Sequence, residues 1–135
     1  MPPTFPALLT LLVLDPKLRK ARYMTALLMY AVMVGIGSIP GARAEIGHFA
    51  SGVVLHTLGY AALTFLLFTG SSGSHAARAV RSILTVLVMG AIDELIQSFL
   101  PYRHGAVSDW LVDANAAVLC AGLLWAFLPA PSAAE

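Results

Sequence analysis

Residues 92–115 read IDELIQSFLPYRHGAVSDWLVDAN, and this stretch decides the fold. It contains four carboxylates, two side-chain amides and an arginine, although the chain around it is strongly apolar. Pro101 interrupts the stretch, and helices usually end at or before the residue that precedes a proline. Ser108 and Asp109 open the next apolar run, and both residue types are good helix N-caps. The sequence therefore predicts a helix end, a short loop and a helix start.

The composition is that of an integral membrane protein. Of the 135 residues, 59% are hydrophobic and only 11% are charged, whereas a typical soluble domain has about 25% charged residues. The mean hydropathy is +0.81. The formal net charge of +1 says nothing about nucleic acid, and the sequence has no basic patch with interleaved aromatics, so no nucleic-acid partner is predicted. The single cysteine, Cys120, excludes an intramolecular disulfide and is expected to be a small packing residue.

Four apolar runs, at residues 23–39, 53–69, 80–100 and 108–128, are each about long enough to cross a bilayer. Because a bilayer offers the backbone no water to bond, these runs must be helices rather than strands. Their short connections make sequential helices antiparallel neighbours. The predicted fold is all-α, an integral membrane bundle of four transmembrane helices over residues 23–128.

The two ends of the chain are predicted to lie outside this bundle. Residues 5–14 are apolar, but as a helix they reach only about 15 Å, against the ~30 Å of a hydrocarbon core. Residues 1–22 are therefore expected to form a short N-terminal interfacial segment with a basic cytoplasmic flank. Residues 129–135 are expected to form a flexible C-terminal tail.

Lysines and arginines set the predicted orientation. Positive charge concentrates in cytoplasmic loops, and six such residues lie on one side of the predicted bundle against two on the other. The sequence thus predicts a multi-pass protein of the cell (inner) membrane with both termini in the cytoplasm. The six are Lys17, Arg19, Lys20, Arg22, Arg78 and Arg81, and the two are Arg43 and Arg103.

In this orientation, nearly all ionisable groups outside the cytoplasmic loops fall at one depth, near the outer leaflet boundary. Asp109 and Asp113 are four residues apart, so they share a helix face. Ionised groups facing lipid are costly, so we expect these groups to turn inward, with His56 and Arg103 as their counter-groups. Arg103 can form a bidentate pair with one carboxylate. The candidate polar pocket comprises His56, Tyr60, Asp93, Glu94, Gln97, Arg103, Asp109 and Asp113.

Purely structural roles compete with a pocket. Asp109 could cap a helix or be solvated, and Asp93 with Glu94 could form an ion pair with Arg103. His56 alone would more often be a core histidine bonded to an acid or amide. Several chemistries lack their signatures, since HExxH, CxxC, a nucleophile elbow and a Gly-rich phosphate loop are all missing.

Two chemistries stay open at these residues. A carboxylate beside a histidine suits general acid–base catalysis. His56 with Glu94 and Asp113 could hold a metal. No ligand-spacing signature supports a metal, so the sequence predicts neither a metal nor a cofactor, and it assigns no catalytic residue.

The runs DELIQSFLPYR, at residues 93–103, and SDWLVDAN, at residues 108–115, resemble the signature half of the VanZ-like membrane proteins. That family combines an acidic-x-x-Gln block, Pro-x-Arg, and an Asp-x-x-x-Asp/Asn block that opens the last helix. Its His-x-x-x-Tyr pair on an earlier helix is matched by HTLGY at residues 56–60. The resemblance covers roughly residues 55–124. Its matching positions are Glu94, Gln97, Pro101, Arg103, Asp109 and Asp113, with His56 and Tyr60.

Two departures from the family pattern stand out. Gly52 and Val53 occupy positions where many relatives have Asp-Lys, so any ion pair that uses that lysine is missing here. Ala116 and Ala117 replace glycines, and alanine still permits close helix approach. The family takes its name from a protein associated with teicoplanin resistance. The resemblance implies a small membrane protein of the cell envelope, and it implies no particular reaction.

Three functions are compatible with these residues. The favoured one is an outward-facing pocket that binds or processes an envelope lipid or glycan-linked molecule. The second is a non-catalytic scaffold whose polar cluster locks the helix bundle. The third, an ion-coupled transporter, would need a polar path through the inner halves, which hold only isolated threonines. The expected partners are the lipid bilayer and an envelope ligand, without nucleic acid, and the sequence does not set the oligomeric state.

Overall fold

The computed structural model describes residues 5–130, with side chains from residue 7 onward, and this part of the chain is helical without strands. The predicted all-α class is therefore confirmed. The first four residues of the predicted interfacial segment and residues 131–135 of the predicted tail lie outside the described range. The six α-helices are α1 (Phe5–Leu14), α2 (Arg19–Gly37), α3 (Ala42–Gly47), α4 (Gly52–Gly70), α5 (His75–Ser98) and α6 (Val107–Phe127), and a 3₁₀ turn at Pro16–Leu18 joins α1 to α2.

Serine caps set two of the helix starts. The Ser51 side chain accepts the backbone N–H of Val54 before α4, and the Ser74 side chain accepts that of Ala77 before α5. Each satisfies one of the orphan donors at a helix N-terminus. Because of the second cap, α5 begins five residues before the predicted start at residue 80. Helix α3 lies in the connection between the first two apolar runs, where the sequence predicts no helix.

Helix α4 is the centre of the bundle, because it packs against α2, α5 and α6, while α5 also packs against α6. From α4, the side chains of Tyr60, Leu63 and Leu67 are fully buried in the core. On α6 the facing residues include Ala116 and Ala117, which are small and buried. Small side chains let helix backbones approach closely, so the alanines at the departures from the VanZ-like pattern serve packing.

Cys120, also on α6, is half-buried, and its thiol donates a weak hydrogen bond of 3.3 Å to the Ala61 carbonyl of α4. It acts as a packing residue, as the sequence predicts.

The outside of the bundle is unusually apolar. Large hydrophobic side chains recur at helical spacing on exposed faces, such as Leu28 and Val32 on α2 and Leu84 and Val88 on α5. Among the described residues, α4 and α6 are long and apolar enough to cross a membrane. Helices α2 and α5 are long enough but too polar to be counted with them. Each has basic residues in its first turns, and α5 also contains Asp93 and Glu94.

One arginine ties the N-terminal segment to the bundle. Arg22, which belongs to the predicted basic cytoplasmic flank, is only 8% exposed. Its guanidinium donates to the Thr69 carbonyl at the end of α4 (2.9 and 3.2 Å) and to the Leu12 and Asp15 carbonyls (2.8 and 3.1 Å). Here α2 and α4 nearly touch, because a Cβ built on Gly70 would lie 2.8 Å from the Tyr23 backbone nitrogen. Glycine is therefore required at this crossing.

Candidate functional site

The packing of α4 on α6 brings a histidine and a carboxylate together. His56 Nδ1 and Asp113 Oδ1 share a hydrogen bond of 2.7 Å across 57 residues of sequence. The Asp113 side chain is fully buried and that of His56 is 14% exposed. The sequence predicted His56 as a counter-group to a carboxylate, and the geometry confirms that pairing.

One turn further along α4, Tyr60 connects the histidine to α5. The Tyr60 ring stacks on His56, with ring centroids 5.9 Å apart and planes inclined by 15°. Its hydroxyl donates a 3.0 Å hydrogen bond to Asp93 Oδ2. Tyr60 is 1% exposed and Asp93 is 9% exposed, so this bond satisfies a buried hydroxyl with a buried carboxylate.

Glu94 joins the end of α5 to the start of α6. Its Oε2 accepts the backbone N–H of Ala106 at 2.6 Å. Ala106 is the N-cap of α6, so the predicted caps, Ser108 and Asp109, are wrong by two to three residues. A glutamate commonly accepts this N–H from within the same helix in a capping box. Here the carboxylate comes from Glu94 on the neighbouring helix. The spacing of residues within α6 therefore does not predict this cap.

Arg103 does not pair with a carboxylate among the described residues. Its Nη2 donates to the Gln97 side-chain oxygen, and its Nη1 donates to the Gly37 carbonyl at the end of α2 (3.0 Å). The predicted bidentate ion pair is therefore wrong. The loop after Pro101 turns the guanidinium toward α2, so Arg103 and Gln97 link the end of α5 to the end of α2.

Asp109 lies apart from this hydrogen-bonded group. It is half-buried in the first turn of α6, and its side chain makes no hydrogen bond or ion pair with the described residues. Six of the eight predicted pocket residues therefore make direct side-chain contacts, in two groups: His56 with Tyr60 and Asp113 and Tyr60 with Asp93 in one, and Gln97 with Arg103 in the other. Glu94 follows Asp93 on α5.

Two carboxylate oxygens at the centre are left without donors. Glu94 Oε1 and Asp113 Oδ2 are buried and accept no hydrogen bond from the described residues. One ligand atom from each of His56, Glu94 and Asp113 can be chosen so that all three lie within 4.8 Å of one another. Buried acceptors without donors are costly, so this arrangement calls for a proton or a cation.

A cavity of about 430 Å³ opens beside the hydrogen-bonded group. Apolar side chains of α2 and α4 form most of its wall, including Met29, Val32, Ile36 and Leu55. The polar wall is made by His56, Tyr60, Asp93, Gln97, Arg103 and, from α3, Arg43. The cavity is therefore amphipathic, while Glu94 and Asp113 lie behind His56, outside its lining.

Several residues that shape the site were not predicted. A Cβ on Gly90 would come 2.9 Å from Asp113 Oδ2 and 3.1 Å from Trp110 Cδ1. A Cβ on Gly105 would come 2.3 Å from the Glu94 carbonyl oxygen. Trp110 donates to the Leu87 carbonyl at 2.9 Å. Among these residues, Gly90 gives a sequence signal: a glycine one turn before Glu94 in an apolar helix is typical of a close helix–helix contact.

No protein-family model, no curated protein and no solved structure matches the chain. The contacts and burial of its own residues therefore carry the functional argument.

Proposed function

We propose that this protein is an integral membrane protein of the cell envelope whose outward-facing cavity binds an amphiphilic envelope molecule, such as a lipid or a lipid-linked glycan. One observation carries the proposal: a 430 Å³ cavity has a long apolar wall on one side and the His56, Tyr60, Asp93, Gln97 and Arg103 group on the other. Ligand sites are typically concave and mostly apolar, with a few convergent polar groups.

The apolar exterior supports placement in a bilayer. In the most apolar 18-residue stretch of α4, 33% of the residues are buried within the protein, and in that of α6 only 22% are buried. Core helices of soluble proteins are mostly buried, so α4 and α6 differ from them. Exposed apolar patches of this extent are rare on soluble monomers. In the proposed arrangement α2, α4, α5 and α6 all cross the bilayer, and both termini are cytoplasmic, as the lysine and arginine distribution favours.

The apolar wall would take the hydrocarbon part of the ligand. Met29, Met33 and Ile36 line it from α2, and Leu55 and Leu58 from α4. Met33 packs closely against Gly59 of α4, because a Cβ there would come 2.7 Å from the Met33 methyl carbon. A thioether side chain adapts its shape to irregular apolar ligands.

The polar wall would take the headgroup. Arg43 is exposed at the cavity and has no hydrogen-bond or ion-pair partner among the described residues. It lies over Gly52, where a Cβ would meet its Nη2 at 2.2 Å. Arg103 lines the same wall, and arginine pairs well with phosphate or carboxylate oxygens. The resemblance to VanZ-like proteins, which includes Gln97 and Arg103, agrees with an envelope ligand here.

Bound amphiphile can be measured by native mass spectrometry of the protein in mild detergent, with phosphatidylglycerol as the added probe. Val32→Trp narrows the cavity and should raise the dissociation constant about tenfold, equivalent to roughly 1.4 kcal/mol. Val118→Trp is the matched control, since Val118 is similarly exposed on α6 (53% against 49%) and does not line the cavity. Equal binding by both variants would contradict the proposal.

The headgroup contact needs its own pair of variants. Arg43→Gln should weaken phosphatidylglycerol binding more than binding of the uncharged probe diacylglycerol, because only the first offers a phosphate. Lys20→Gln removes an exposed cation outside the cavity lining and should leave both unchanged. If Arg43→Gln weakens both probes equally, the arginine acts on cavity shape rather than on headgroup charge.

A non-catalytic scaffold is the second candidate, and the closed hydrogen bonds favour it. Tyr60 with Asp93, Arg103 with Gln97 and Glu94 with Ala106 each join two elements of the bundle. A scaffold predicts that substitutions in this group lower stability and leave amphiphile binding per folded molecule unchanged. Normal stability combined with lost binding in Arg103→Ala, which removes a member of the group, would exclude it.

A further inference from the structure

The buried carboxylates present a problem that the amphiphile pocket does not solve. Asp113 is fully buried and Glu94 is 9% exposed, and each has one oxygen without a donor among the described residues. A buried charge is stable only when it is paired or bound to a metal. Arg103 does not supply the pairing, because its guanidinium donates to Gln97 and Gly37 and forms no ion pair with a described carboxylate.

We propose that His56, Glu94 and Asp113 bind a divalent transition-metal cation. One nitrogen and two carboxylate oxygens form a donor set suited to Zn²⁺ or Mn²⁺. With both carboxylates ionised, a divalent cation brings the net charge of the three ligands and the metal to zero. This neutrality is a strong advantage in a setting of low dielectric.

The geometry is close to that of a metal site. The three candidate ligand atoms lie within 4.8 Å of one another, whereas ligands of a tetrahedral site with ~2.1 Å bonds lie about 3.4 Å apart. A contraction of this size is within reach of the long Glu94 side chain. Its Oε2 can stay on the Ala106 N–H while Oε1 turns toward the cation, and an outer contact of that kind fixes a ligand's orientation.

Two neighbours hold the other ligands in place. Gly90 leaves the room in which Asp113 Oδ2 sits, since a Cβ would come within 2.9 Å of that oxygen. Stacking on Tyr60 fixes the plane of the His56 ring. His56 also lines the amphipathic cavity, so the cation has an entry path from that side, and three protein ligands leave a coordination position open for water or a ligand headgroup.

Zinc binding by the purified full-length protein tests this site in the absence of any added lipid, so the outcome is separate from that of the amphiphile proposal. Detergent-solubilised protein is stripped with chelator, loaded with Zn²⁺, passed through a desalting column and analysed by elemental mass spectrometry. Wild type should retain about one zinc per chain. Glu94→Gln and Asp113→Asn keep the size and acceptor oxygens of the native side chains and should bind at least tenfold more weakly.

Asp109→Asn is the matched control, because it removes a carboxylate from the same helix one turn away and should retain zinc like wild type. Circular dichroism and gel filtration establish that each variant is folded. Wild type that retains no zinc after loading at millimolar concentration would overturn the site. So would zinc that persists in Glu94→Gln and Asp113→Asn but is lost when the exposed His48 and His104 are replaced by glutamine, since that pattern marks a surface site.

Discussion

The two ends of the bundle contain buried charge of opposite sign and handle it differently. At the arginine end, Arg22 donates to three backbone carbonyls, and Arg78, 6% exposed, donates to the Gly73 carbonyl. At the carboxylate end, Glu94 and Asp113 each satisfy one oxygen and leave the other without a donor. The first end matches donors to acceptors, and the second has acceptors in excess.

This difference separates a structural junction from a binding site. Carbonyls at a helix C-terminus have no partner within the helix and attract positive charge, so the bond from Arg22 to Thr69 stabilises the end of α4. The excess acceptors of the carboxylate end bring no such benefit by themselves. We therefore expect the loss of a charged side chain to act on stability at the arginine end and chiefly on binding at the carboxylate end.

The largest effect is expected for Arg22→Met. The substitution keeps an unbranched side chain but leaves the Leu12, Asp15 and Thr69 carbonyls without their donor, which should cost about 3 kcal/mol of unfolding free energy. Denaturation in mixed detergent micelles measures this loss. Lys20→Met, at an exposed position two residues away, should change stability by less than about 0.5 kcal/mol. Equal losses would show that charge, rather than the four hydrogen bonds to three carbonyls, matters at this end.

A smaller loss is expected for Gly90→Ala. The added methyl group would press on Asp113 Oδ2 and Trp110, and overpacking of this kind costs about 1–3 kcal/mol. Gly122→Ala on α6 meets nothing within 4 Å, so it should be neutral or stabilise the helix by up to about 1 kcal/mol. Thermal unfolding of the two variants measures the contrast. If both variants had the same stability, this would contradict the close packing of α5 against α6 at Gly90.

The smallest effect is expected for Tyr60→Phe. It removes one hydrogen bond to Asp93 while keeping the ring that stacks on His56, and should cost about 1 kcal/mol. Tyr23→Phe is the control, because Tyr23 is 37% exposed and its hydroxyl makes no hydrogen bond with the described residues. Thermal unfolding measures the stability of both variants. An equal loss of stability in both would show that the bond from Tyr60 to Asp93 is not its cause.

The lengths of the apolar runs and the residues that separate them predicted much of the helix arrangement. The four apolar runs coincide with α2, α4, α5 and α6, because hydrophobic length and turn residues are local signals. The expectation that His56 meets a carboxylate is confirmed by its bond to Asp113. That pairing follows from the antiparallel order of helices and the distance of each residue from its helix end, both of which the sequence contains.

Contacts set by loop geometry could not be predicted in this way. The direction of Arg103 depends on how the chain turns after Pro101, and it selects Gln97 and Gly37 over a carboxylate. The start of α6 depends on Glu94, which belongs to another helix. Gly90 matters because of what it faces on α6. In each case the decisive partner is distant in sequence, so no local pattern reports it.

The 57 residues that separate His56 from Asp113 also impose an order on synthesis. At about 5–20 residues per second of translation, roughly 3–11 seconds pass between the two residues leaving the ribosome. During that interval α4 has its imidazole and the Tyr60 hydroxyl without their native partners. Asp93 arrives first and can engage Tyr60, so the nascent α4–α5 hairpin forms one polar bond before α6 exists. The last helix then closes the bundle, so a chain stalled before it leaves the His56 imidazole without its native partner.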